Sequence, residues 1–353
     1  MIDSTLKPEQ ALLILLSRLT FSKENVEQIQ NIIAMNRIDW NEVFEYAIKN
    51  KSATLIYFNI KKLRLEIVLP RYLDDLLKGT SLFFAEKNKI LMSELEIIKK
   101  KCKENNIIVA PVKGAFLLNK LYLNYQIRFS GDLDILISKK NVNKIIGIMY
   151  ELGYVQGKCK NDCIVKMSRQ EEILWKLNMG NLYPFVKLCE YGYPIEIKID
   201  FRFSLDDRLD STAVDTMLKT VSHEEMDEEM YLIHMCTHLY NEASNLYFAK
   251  WNKDINIIKF CDIREYILNC CDNAILNKAI EFAKKYLFED ALYYTFYYLK
   301  ELYNDGYEDN VLDKLTHIEE KKIQEYKINK YSEKMQWKNS FKTRMFGSAS
   351  DKE

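Results

Sequence analysis

Two aspartates separated by a single apolar residue, Asp132 and Asp134 around Leu133, have the types and spacing best suited to chemistry in this chain. An extended strand alternates its side chains with period two. Both carboxylates would then project from one face while Leu133, Ile135 and Ile137 take the other. Side by side, two carboxylates repel unless positive charge lies between them. A divalent cation carrying a nucleotide phosphate would supply it. Upstream, an apolar run over residues 107–112 leads into Lys113 and Gly114, and Arg128 stands shortly before the acid pair. Downstream, the stretch YGYPIEIKIDFRF alternates cleanly: Glu196, Lys198, Asp200 and Arg202 share one face, and Ile195, Ile197, Ile199, Phe201 and Phe203 the other.

Elements of two kinds must hold these residues. Apolar spacings of three and four predict helices over 8–19, 23–35 and 40–48, the last capped by Asp39, and a long one over 73–105. The pattern then changes to a strand over 107–112, a helix over 115–122, a strand at LDILI, a helix over 140–152 and the alternating strand above. From Asp210 to about Lys334 the chain reads helical again. A helix over 230–240 has Asp227, Glu228 and Glu229 at its positive end, and a charge-rich, solvated helix is expected over 313–334. The expectation is an α+β fold: a mixed, half-covered sheet flanked by N-terminal and C-terminal helical regions. The boundaries read as 1–105 for the first helical region, 106–208 for the α/β core and 209–336 for the second helical region. A disordered tail is expected over 337–353.

The order of these pieces resembles the DNA polymerase β-like nucleotidyltransferase fold. It is closer still to a bacterial branch of that superfamily usually called uncharacterised nucleotidyltransferases. Members of the branch read LKG…L…Y…R…D-x-D followed by apolar residues, and this chain supplies Lys113, Gly114, Leu117, Tyr122, Arg128, Asp132, Asp134 and Ile135 to Ile137. The leading segment around Trp40 and the trailing ones around His234 and Asp262 also look like that family's helices, but only residues 113–137 are specific. The resemblance implies transfer of a nucleoside monophosphate from a nucleoside triphosphate to a hydroxyl acceptor, a small molecule or a protein, with release of pyrophosphate. It also implies Mg²⁺ or Mn²⁺ as cofactor, held by Asp132, Asp134 and Glu196 as catalytic acids, with Asp200 as the alternative third acid. Lys113, Gly114, Arg128 and Lys198 would contact the nucleotide phosphates. Two departures stand out: Ala115 follows the glycine where the superfamily usually has Ser or Gly, and Lys198 stands where relatives often place a histidine after E-h. A catalytically silent binding or regulatory protein of the same fold, or a toxin-type enzyme acting on transfer RNA, are the alternative readings.

Composition bounds these ideas. The chain has 353 residues, with 51 Lys and Arg against 51 Asp and Glu, so the basic excess of a dedicated nucleic-acid binder is missing and such a partner is not expected. The amino terminus does not read as a signal peptide and no run resembles a membrane span. The 8 cysteines form no disulfide framework, which fits a reduced, cytoplasmic protein. His234 and His238, spaced i, i+4, read as structural or substrate-lining rather than as zinc ligands, and Asp262 as a pocket-lining or capping group. Cys159 and Cys163 lack a second pair to make a zinc knuckle.

Overall fold

The computed structural model describes residues 6–190, 194–329 and 331–347. The chain divides into two compact units, one of residues 84–125 and 130–234, the other of residues 1–83, 126–129 and 235–353.

The first unit is built on a six-stranded mixed sheet. Its strands are β1 (Val109–Val112), β2 (Leu133–Ile137), β3 (Val155–Lys160), β4 (Cys163–Lys166), β5 (Phe185–Glu190) and β6 (Pro194–Arg202), in the order β1-β2-β6-β5-β3-β4. β2 and β6 run parallel and the other neighbours antiparallel. The long connection that a parallel pair requires contains the helix Val142–Glu151, three further strands and the helix Arg169–Asn178. Ile195, Ile197, Ile199 and Phe201 of β6 join Leu133, Ile135 and Ile137 of β2 in one apolar layer, covered by Leu91, Leu95 and Ile98 of the helix Arg71–Glu104 and by Ile145 and Ile148. Each such fully buried aliphatic side chain stabilises the fold by roughly 1.5–3 kcal/mol.

The expected half-covered sheet is found at β6, where buried and partly exposed residues alternate. It is not found at β2, where all five residues are buried. The short helix Gly114–Leu117 and the helix Thr212–Lys219 pack on β2, so the acid-bearing face is enclosed there as well. This explains why LDILI reads as a nearly continuous apolar run and not as an alternating one.

The second unit is mainly helical, with Pro8–Leu16, Lys23–Met35, Trp40–Lys49 and Ala53–Lys62 before the sheet in sequence, and Ile257–Cys270, Asn273–Tyr286 and Glu289–Leu302 after it. Two expectations are corrected here. Residues 313–334 do not form a solvated helix: the described part holds turns, a short 3₁₀ segment Glu320–Gln324 and the two-residue strand Glu325–Tyr326, paired with Met335–Gln336. Nor is the segment solvated, since Leu315, Ile318, Ile323 and Tyr326 are all buried. Residues 337–347 are not a disordered tail either. They carry the helix Phe341–Phe346, and its Arg344 is fully buried, bonded to Asp254 and lying over the Trp337 ring. The rest of the expected tail, 348–353, lies outside the described residues. Among the described residues no helix is long and apolar enough to cross a membrane.

Candidate functional site

The parallel pairing of β2 with β6 builds the site. Its register sets Leu133 opposite Ile199 and Asp134 opposite Asp200, so two acids from distant parts of the sequence become neighbours on one sheet face. Asp132 stands one residue before β2. Lys198, on the same face of β6 as Asp200, reaches Asp132 with Nζ 3.4 Å from its Oδ2. Burial works against the Lys198 ammonium, but Asp132 and Asp200 outweigh it and raise its pKa above the ordinary lysine value.

Asp134 is 5% exposed and takes its closest charge from Lys113, whose Nζ lies 2.6 Å from Oδ1. Arg202 Nε stands 3.9 Å from the same oxygen, and Arg202 Nη2 donates to Asp200 Oδ2 at 3.4 Å. The other oxygen of Asp200 accepts from Asn181 Nδ2 at 2.6 Å. Lys113 follows β1 with φ 53° and ψ −129°, a backbone conformation natural to glycine and costly for lysine, by about 1–3 kcal/mol. β1 on one side and the turn into Gly114–Leu117 on the other hold it there, and the chain continues as a π-helical turn, Leu118–Tyr122.

Several contributors were not foreseen from the sequence. Lys87, on the helix Arg71–Glu104, feels both Glu196 and Asp132; burial lowers its pKa more than these acids restore it. His234 is 2% exposed, and its pKa lies well below 6.5, first through burial and then through the nearby charges of Lys113 and Arg202. The sequence had offered Arg202 only as a member of the β6 polar face, and nothing in it linked Lys87 to an acid far downstream.

The remaining sequence candidates are placed as follows. Glu196 lies two pleats before Asp200 on the same strand, roughly 13 Å along it. The register therefore sets Asp200, and not Glu196, opposite Asp134. Arg128 belongs to the helical unit, where its guanidinium clasps Asp262 with Nε–Oδ1 at 2.9 Å and Nη2–Oδ2 at 2.6 Å. Asp262 is thus a buried ion-pair partner. His238 lies 3.3 Å from Glu242. Cys159 and Cys163 sit on the β3–β4 hairpin with free thiols.

Chemically, the face offers Asp132, Asp134, Asp200 and Glu196 among Lys87, Lys113, Lys198 and Arg202, four negative groups among four positive ones. Carboxylate oxygens are the donors a hard divalent cation takes, and the register sets Asp134 beside Asp200, so the residue types present are those Mg²⁺ or Mn²⁺ would use. As placed, these carboxylates face basic or amide partners. Among the described residues no three His, Cys, Asp or Glu side chains converge as ligands.

A mixed sheet with an acid pair entering its second strand and a further acid on the parallel neighbour agrees with the nucleotidyltransferase resemblance of the sequence. The chain belongs to the family described as uncharacterised nucleotidyltransferase, which matches residues 36–304. No curated protein and no solved structure matches it.

Proposed function

We propose that the protein is a metal-dependent nucleotidyltransferase that moves a nucleoside monophosphate from a nucleoside triphosphate to a hydroxyl acceptor, releasing pyrophosphate. The register of Asp134 against Asp200, with Asp132 beside them, carries this reading. Asp132, Asp134 and Asp200 would hold Mg²⁺ or Mn²⁺, which supplies charge neutralisation of the phosphates and activation of the acceptor hydroxyl. Asp200 takes the third position in preference to Glu196. Lys113, Lys198 and Arg202 now neutralise the aspartates and would turn to the triphosphate oxygens. Each acid–base pair thus exchanges its partner for one of stronger charge. Gly114, lacking a side chain, would let a phosphate oxygen approach the backbone after β1.

Incubation with each labelled nucleoside triphosphate and Mg²⁺ is expected to release pyrophosphate. Asp134→Asn should reduce that release by about a thousandfold. Release unchanged in Asp134→Asn would reject the assignment.

One observation favours a second reading, a catalytically silent nucleotide-binding protein: the Lys113 ammonium lies 2.6 Å from Asp134 Oδ1 and competes with a metal for that carboxylate. Calorimetry separates the two readings. An enzyme should bind triphosphate more tightly with Mg²⁺ than with a chelator, whereas a silent protein should bind equally in both.

A further inference from the structure

In the helical unit a cavity of about 620 Å³ opens between the turn after the first helix and the helix Glu289–Leu302. Its wall includes Arg18, Asn25, Gln28, Tyr293, Tyr297 and Tyr303. Arg18 and Asn25 precede the stretch matched by the family, and Lys342, also in the wall, follows it, so the cavity is partly made by sequence outside the shared domain.

Arg18 is the unusual member. It is 4% exposed, yet no carboxylate lies within ion-pair distance of it among the described residues. Its Nη1 donates to the neutral Asn25 Oδ1 at 2.7 Å, its Nε has no hydrogen-bond partner, and its guanidinium carbon lies 5.4 Å from the centre of the Tyr303 ring. The acids of the neighbourhood contact Arg264 and not Arg18: Asp305 and Glu265 Oε1 both bond Arg264, and Glu265 Oε2 has no hydrogen-bond partner among the described residues. The other cavity cations are also paired, Lys300 with Asp309 and Lys342 with Glu301. Burial lowers the Arg18 pKa and Arg264 adds to that, while Tyr303 and Asp305 oppose it.

A buried charge lacking a counter-charge destabilises a fold unless something supplies one. Here the backbone is built to keep the side chain where it is. Asn59 Nδ2 donates to the carbonyls of Leu16 and Arg18 at 2.7 Å each, Tyr303 Oη donates to the Ser17 carbonyl at 2.9 Å, and Leu19 N–H donates to Glu265 at 3.0 Å. A guanidinium fork at the wall of a cavity with tyrosine rings and amides is the arrangement that selects an oxyanion, carboxylate or phosphate, by paired hydrogen bonds.

We propose that this cavity is a binding site for a small organic oxyanion, a phosphate or carboxylate on a ring-sized carrier, with Arg18 as its counter-charge. The volume lies in the range of small-molecule sites. The ring of the ligand lies against the tyrosines and its charged end on Arg18, Asn25 and Gln28. The site is independent of the nucleotidyl-transfer reading.

Titration calorimetry on the full chain with phenyl phosphate, benzoate and neutral benzyl alcohol tests it, and the first two distinguish a phosphate from a carboxylate ligand. At least one charged probe should bind and benzyl alcohol should not. Arg18→Met should weaken that binding by about ten- to a hundredfold. It should also leave the ligand-free protein melting at or above the wild-type temperature, because a structural arginine would lower it. If Arg18→Met does not fold, Arg18→Lys keeps one charge without the fork and should bind at least tenfold more weakly. Failure of the wild type to bind either charged probe, or equal binding by the variants, overturns the proposal.

Discussion

On the sheet, Lys113 and Asp134 meet at 2.6 Å, Lys198 reaches Asp132, and Arg202 spans Asp134 and Asp200. In the helical unit, Arg18 is buried with an amide and an aromatic ring for company. Both regions withdraw charge from water, but among the described residues the first sets carboxylates directly against Lys113, Lys198 and Arg202, whereas Arg18 has none in contact. A compensated cluster can accept a ligand that is itself close to neutral, such as a triphosphate with two divalent cations, by exchanging partners. A guanidinium with no contacting carboxylate calls for an anion. The same difference separates Arg18 from Arg128, which is also buried but clasped by Asp262.

The strongest way to break the account of the sheet cluster is to compare its two candidate third acids. Asp200→Asn should lower the rate of pyrophosphate release by about a hundredfold or more, since its carboxylate neighbours Asp134. Glu196→Gln, two pleats away, should stay within about tenfold of wild type. Steady-state kinetics on both variants decides it, and the reverse order would return the role to Glu196.

The contrast between the two arginines can be sharpened by thermal or denaturant unfolding. Arg128→Met leaves Asp262 buried without its guanidinium and should cost about 3–5 kcal/mol. Adding Asp262→Leu should recover much of that loss. Arg18→Met, with no acid to strand, should show no comparable loss.

Much of this was legible in the sequence, and the limits have physical causes. The D-x-D spacing, Lys113 beside Gly114 and the alternation of β6 are local patterns, and the structure forms the corresponding strands. The pairing of Asp134 with Asp200 is not local. Glu196-Ile197-Lys198 and Asp200-Phe201-Arg202 repeat the same acid–apolar–base pattern, and only the strand register distinguishes them. Arg128 sits in sequence just before the acid pair, yet the segment 126–129 belongs to the helical unit, a crossing no periodicity signals. Residues 337–347 read as disordered for a related reason: a short segment shows no periodicity of its own, and its Arg344 finds the buried Asp254 far away in sequence.

The smallest expected effect concerns His234, which borders the cluster from the helix Glu228–Ala243. Its imidazole is kept neutral because burial, Lys113 and Arg202 all disfavour a further positive charge, so its folded pKa lies below the 6.5 of an exposed histidine. The unfolded chain therefore binds a proton there that the folded chain refuses. This stabilisation is fully present above pH 6.5 and is lost as the pH falls below it towards the folded value, with a slope of at most about 1.4 kcal/mol per pH unit from this one group. Replacing the imidazole by a neutral amide of similar reach, His234→Gln, should flatten that part of the stability profile while costing some packing at every pH. Urea unfolding of both proteins between pH 5 and about 7.5 measures the difference. A wild-type slope that persists unchanged in His234→Gln would mean that Lys113 and Arg202 impose no proton exclusion on this position, and the charge balance drawn for the sheet cluster would have to be revised.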